Sequence, residues 1–181
     1  MHHELMICGT GGQGILLIGH LLAHAAMLEN KYVTWLPYYG PEKRGGEVNC
    51  SIVVSDEEVG SPIITAPNEM IAMDLSKGKV EELASPNACF FYNESMKNRE
   101  FTRNDLEFIP IDANAAAKKI GNIKVANLVI LGAFIAKTEI VYLDSVIAAM
   151  EEMFKGKSDK VLNMNKEALL MGRELMLSPK A

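Results

Sequence analysis

A chain of 181 residues, 49% apolar and 23% charged, is long enough to bury one sizeable core, and residues 1–181 read as a single domain. A formal net charge of -5 without a dense Lys/Arg run argues against a nucleic-acid partner. The opening Met1-His2-His3-Glu4 lacks the basic stretch of a secretory leader, and the most apolar segment, Ile15–Leu28, is short and carries His20 and His24; no membrane span is expected, and a cytoplasmic location is.

Residues 5–8 read as a first strand. The chain then breaks into Gly9-Thr10-Gly11-Gly12-Gln13-Gly14 and resumes as a long apolar helix from Ile15. Gly9, Gly11 and Gly14 have the G-x-G-x-x-G spacing of a dinucleotide turn in its strand–turn–helix context. Free N–H groups at the helix start suit a phosphate or a carboxylate. The competing reading is that the glycines only let a helix pack closely on a sheet. His20 and His24 have a metal-ligand spacing, but no H-E-x-x-H pattern or third ligand accompanies them, so interface or core histidines are the better reading.

Residues 31–36 (K-Y-V-T-W-L) read as a second strand, at whose end a dinucleotide fold would place an acid for the ribose. This strand runs instead into Pro37, Tyr38 and Tyr39, which counts against NAD. Residues 37–46 (P-Y-Y-G-P-E-K-R-G-G) read as irregular. Arg44 there suits an anionic group or a partner's carboxylate, and Tyr38, Tyr39, Glu42 and Arg44 have the composition of an interface.

Glu47–Ser55 reads as a strand with Val48, Cys50, Ile52 and Val54 on one face. Residues 61–67 read as an edge or connector, 69–75 as a buried strand, 76–83 as a short helix, and 88–92 and Glu107–Ile111 as strands. Asp112 is expected to cap a helix over Ala113–Ile120. Residues 127–137 read as a buried helix with Gly132 at a close contact, a strand over 128–131 being the alternative. Asp144 and Asn165 are expected to cap helices reaching Phe154 and Leu177. Cys8, Cys50 and Cys89 are odd in number, far apart and outside any C-x-x-C pair, which argues against disulfides, structural zinc or an iron–sulfur cluster on this chain. Alternating strands and helices imply an α/β fold: a Rossmann-like sheet, largely parallel with an antiparallel edge hairpin, covered by helices.

The sequence resembles the gamma subunit, or gamma domain, of 2-oxoacid:ferredoxin oxidoreductases. Three stretches carry the match: Gly9-Thr10-Gly11-Gly12-Gln13-Gly14; Tyr39-Gly40-Pro41-Glu42-Lys43-Arg44-Gly45-Gly46; and residues 127–133, an Asn followed by an apolar turn and Gly-Ala. Tyr38 departs from the family, which often has Ser before Y-G-P-E. The resemblance implies a complex that oxidatively decarboxylates a 2-oxoacid to an acyl-CoA and reduces ferredoxin, using thiamine diphosphate with Mg2+, 4Fe–4S clusters and coenzyme A. It implies alpha and beta, and in some complexes delta, subunits as partners. This chain shows neither a G-D-G…N diphosphate–magnesium pattern nor a cysteine array, so those cofactors are expected on the partners and no catalytic residue or metal ligand is assigned here. Residues 9–14 are then a coenzyme A or subunit contact, and Arg44 a contact to phosphate or to a partner's carboxylate. The reading from another class is a stand-alone nucleotide-binding α/β protein that uses the same turn.

Overall fold

The computed structural model describes residues 1–39, 45–76, 79–98 and 100–178. Six strands of these described residues form one sheet: β1 (His2–Thr10), β2 (Tyr32–Tyr39), β3 (Glu47–Ser55), β4 (Glu69–Ala72), β5 (Cys89–Asn93) and β6 (Glu107–Ile111), in the order β2-β3-β1-β4-β5-β6. β1, β4, β5 and β6 are parallel, and β3 is antiparallel to both β1 and β2. The mixed sheet with its edge hairpin is the one expected. Among the described residues five α-helices accompany it: α1 (Ile15–Leu28), α2 (Ala113–Ile120), α3 (Ala126–Thr138), α4 (Leu143–Met153) and α5 (Asp159–Leu177).

Alternation along the strands divides the core in two. Leu5, Ile7, Cys50, Ile52, Val54, Ile71, Phe91 and Ile109 face one side, where they pack with residues of all five helices. Met70, Ala72, Phe90 and Tyr92 face the other, covered by Leu75, Val80, Ala84 and Leu106 from chain without a full helical layer. The helical cover is thus one-sided. Parallel crossovers are right-handed, so β1-α1-β2, moving towards one edge, and β4-β5-β6, moving towards the other, must pass over opposite faces. The chain therefore diverges at the carboxyl ends of β1 and β4, the topological switch point where open α/β sheets hold ligands.

α1 fits between the sheet and α4, which explains why its sequence is apolar nearly all round. α3 is enclosed, with residues 126 to 135 buried throughout, and the strand alternative for 128–131 is excluded. Its crossing with α5 is a backbone contact. A Cβ on Gly132 would lie 2.0 Å from the Leu169 carbonyl oxygen, and one on Gly172 1.8 Å from that of Val129.

Several boundaries differ from expectation. β2 continues through Pro37 to Tyr39, because it is the edge strand and proline's missing N–H is not required there. The strand expected over 69–75 ends at Ala72. Asp74 Oδ1 there accepts the Ser76 N–H at 2.9 Å, a turn that competes with the ladder. The helix expected over 76–83 reduces to one 3-10 turn, Val80–Leu83, with residues 77 and 78 outside the described residues. Asp112 caps α2 as expected, accepting the Ala115 N–H at 3.1 Å. Asp144 lies inside the first turn of α4. The N-cap is Tyr142, whose N–H goes to Glu29 Oε1 at 2.6 Å, an anchor from the residue that ends α1. Asn165 is buried inside α5, which starts at Asp159 because Leu162 and Met164 also pack on the core. Among the described residues no helix is long and apolar enough to cross a membrane.

Candidate functional site

The six-residue glycine loop hangs from the carboxyl end of β1 and is closed by its own polar groups. The Thr10 N–H donates to Gln13 Oε1 at 2.8 Å, and the Gln13 N–H to the Thr10 carbonyl at 3.2 Å. Gly14 is the N-cap of α1 in the left-handed region (φ 73°, ψ 28°), and no side chain caps that helix. A Cβ on Gly14 would sit 2.3 Å from Asn127 Nδ2, whereas one on Gly11 would meet only ordinary contacts, the nearest at 3.5 Å. The sequence motif treats these two glycines alike; the structure does not.

Asn127 joins the loop to α3. It is 3% exposed, donates through Nδ2 to the Gly14 carbonyl at 3.2 Å, and accepts the Leu128 N–H through Oδ1 at 2.9 Å. The N-cap residue of α3, Val125, provides no side-chain cap either. α1 thus begins at the loop without a side-chain cap, where partial positive charge favours an anion. At the start of α3, by contrast, the Ala126 N–H goes to the Ile123 carbonyl and the Leu128 N–H to Asn127 Oδ1. A cavity of about 230 Å³ opens between the two helix starts, lined among others by Gly12, Gln13, Met73, Met96, Asn114, Lys124 and Asn127. Lys124 is exposed at its rim. Behind Asn114, Asn93 is 1% exposed; its Nδ2 donates to Asn114 Oδ1 at 3.0 Å and its Oδ1 has no hydrogen-bond partner.

The switch point brings β4 to the same place. The Met73 N–H donates to the Cys8 carbonyl at 2.8 Å, and Thr10 Oγ1 donates to Asp74 Oδ2 at 3.4 Å. An acid therefore does stand beside the glycine loop, in the turn just past β4, the strand next to β1 in the sheet. The end of β2 offers none because β3 separates β2 from β1, a displacement of roughly 10 Å for two strand spacings. Cys8, below the loop, is no nucleophile: burial pushes its thiol far up, helped by Cys50 and Glu47. Burial likewise pushes Cys50 up to about 12.

The other residues singled out in the sequence fall as follows. Gly46 returns to the glycine loop, its carbonyl accepting the Gly11 N–H at 2.9 Å, so the second motif ends against the first. Tyr38 is 41% exposed on the edge strand. Glu42 and Arg44 lie outside the described residues, as do 40, 41 and 43. His20 is exposed and stacks on Trp35 with ring centroids 5.1 Å apart, and His24 faces Glu152 at 3.0 Å, in keeping with surface and packing roles. Among the described residues no three His, Cys, Asp or Glu side chains come together as a metal-binding group. Sequence reading did not assign Asp74, Asn93, Asn114 or Lys124 to the site. A lone Asp just past a buried apolar run was the one signal available.

The geometry defines an α/β domain with a glycine-rich loop at a topological switch point. Residues 4–175 match the family model described as pyruvate ferredoxin/flavodoxin oxidoreductase. The chain is 35% identical over 176 residues to ketoisovalerate oxidoreductase subunit VorA of Methanothermobacter thermautotrophicus, covering 94% of this chain and 36% of that protein. It is 31% identical to 2-oxoglutarate synthase subunit KorC of Methanothermobacter marburgensis, covering 98% of each. The solved gamma subunit of a keto/oxoacid ferredoxin oxidoreductase from Geobacter sulfurreducens shares the fold, with a TM-score of 0.81, 24% identity, and coverage of 97% of this chain and 98% of that one. The chain belongs to the pyruvate ferredoxin/flavodoxin oxidoreductase family, among its gamma chains. It spans about a third of the length of the ketoisovalerate relatives, 36% in each.

Proposed function

We propose that residues 1–181 act as one domain supporting a complex that oxidatively decarboxylates a 2-oxoacid to an acyl-CoA and reduces ferredoxin. In this reading alpha and beta subunits, with delta where present, hold thiamine diphosphate with Mg2+ and the 4Fe–4S clusters. The glycine loop faces the anionic part of coenzyme A. The observation that carries this is the cavity lined by Gly12 and Gln13 of the glycine loop, which leads into the uncapped start of α1, with Lys124 at its rim. The backbone N–H groups there would take the pyrophosphate, with Lys124 as its diffuse counter-charge. Asn127 would hold the loop in register, and Asp74, an acceptor, would suit a hydroxyl.

Tyr38, Tyr39, Glu42 and Arg44 form the proposed contact to a partner subunit, with Arg44 set against a carboxylate or a coenzyme A phosphate. The test is kinetic. Lys124→Glu in the assembled enzyme should raise the KM for coenzyme A about ten-fold while the 2-oxoacid KM stays unchanged. An unchanged coenzyme A KM would leave the loop a packing device, a reading favoured by the Gly14–Asn127 contact.

A further inference from the structure

A second cavity lies away from the glycine loop. It measures about 580 Å³ and sits at the far ends of α1, α3 and α5 and the start of α4. Through Arg173 and Leu177, which line both, it continues into a second hollow of about 350 Å³ along α5. Large apolar side chains stand open around it: Tyr142 is 76% exposed, Leu177 61% and Leu170 41%. Clustered exposure of this kind marks a contact surface.

Its charges divide into used and unused. Lys31 and Glu29 close on each other at 2.9 Å, and Lys31 also donates to the Ile140 carbonyl at 2.5 Å, so they form a fixed floor. Arg173 on one wall, and Glu139 and Asp144 on the other, make no ion pair with a described residue. An apolar centre with an arginine and an aromatic at a charged rim has the anatomy of a protein interface.

The longer relatives point to the occupant. In the ketoisovalerate protein the matched part is 36% of the chain, so most of that polypeptide is joined to one end or the other of the equivalent domain. Met1 and Leu177, from opposite ends of the sequence, both line this groove. Whichever end carries it, the added polypeptide is tethered near Met1 or Leu177 in sequence, so its effective concentration at the groove is raised. We infer that the groove seats a segment of the companion polypeptide corresponding to that remainder. The segment presents an aliphatic side chain to Tyr142 and Leu177, a carboxylate to Arg173, and a basic side chain to Glu139 and Asp144.

The inference rests on the proposed role in an oxidoreductase complex, and the test separates the two. Hydroxyl-radical footprinting compares the chain alone with the purified complex. Tyr142 and Leu177 should become about five-fold less reactive on assembly, as a dry interface core requires. The double variant Tyr142→Asp/Arg173→Glu changes only exposed side chains and should fold normally, yet its complex should dissociate at about ten-fold higher protein concentration than the wild-type complex. An intact complex with unchanged reactivity at both residues overturns the groove assignment alone. Protection that appears without partners and rises with the concentration of the chain assigns the groove to a second copy and also overturns it. Failure of the chain to assemble with any thiamine- or cluster-binding subunit removes the groove assignment together with the functional reading.

Discussion

Replacing Gly14 with alanine tests how the glycine loop is held. The residue sits at φ 73°, ψ 28°, and a non-glycine residue there costs about 1–2 kcal/mol. The added Cβ would lie 2.3 Å from Asn127 Nδ2, well inside contact distance, so the amide must swing away from the Gly14 carbonyl. Asn127 is 3% exposed and cannot turn to water, and the lost hydrogen bond adds about 1–2 kcal/mol. The expected loss is therefore about 2–4 kcal/mol, read from urea unfolding of the isolated chain. Asn127→Ala alone should cost about 1–3 kcal/mol, because it leaves a buried carbonyl and the Leu128 N–H without their partner. The double variant should cost about 1 kcal/mol less than the sum, since one substitution has already displaced what the other removes. Gly11→Ala is the control and should be near neutral, its Cβ finding nothing closer than 3.5 Å. A Gly14→Ala variant within about 0.5 kcal/mol of wild type, or strict additivity with Asn127→Ala, would refute the proposed tie between loop and α3.

Other outcomes follow from the same geometry. Gly172→Ala, with its Cβ 1.8 Å from the Val129 carbonyl oxygen, must push α5 off α3 and should cost about 2–3 kcal/mol in thermal or urea unfolding. Glu29 is held below its usual carboxylate range: burial raises it, but hydrogen bonds from Lys31, Ser145 and the Tyr142 N–H outweigh that. Its contribution is present above the unfolded value of about 4.3 and lost as pH falls through the lower folded value. The urea midpoint should accordingly fall on acidification below that range, and Glu29→Gln should flatten the fall. Cys89 is pushed up to about 11 by burial, then by its hydrogen bond to Glu107 and that carboxylate's charge. At pH 8 only about one Cys89 in a thousand is ionised, so an aromatic disulfide reagent should react slowly with one native thiol and with all three after denaturation. Rapid reaction of two or more native thiols would contradict the burial of Cys8 and Cys50.

Local pattern by itself determined much of this protein. Alternation in Glu47–Ser55 put Val48, Cys50, Ile52 and Val54 on one face because side chains in a strand alternate whatever lies beyond. Asp112 announced its helix because a cap acts within three residues. The glycine spacing marked the loop because a turn's backbone demands are local. What required distant neighbours could not be read this way. The insertion of β3 between β1 and β2 moved the expected acid position and left Asp74, in the turn after β4, as the carboxylate beside the loop, and strand order is a long-range property. Pro37 stayed in a strand because β2 has no outer neighbour among the described residues. Gly14 and Gly11, equal in the motif, were separated by Asn127, 113 residues away in sequence from Gly14, which reaches one and not the other. The groove at the ends of α3 and α5 likewise exists only because Gly132 and Gly172 bring two helix backbones into contact and so align Ile135, Arg173 and Leu177 around one hollow. Propensity and pattern act over a few residues, whereas packing decides which distant residues share a site.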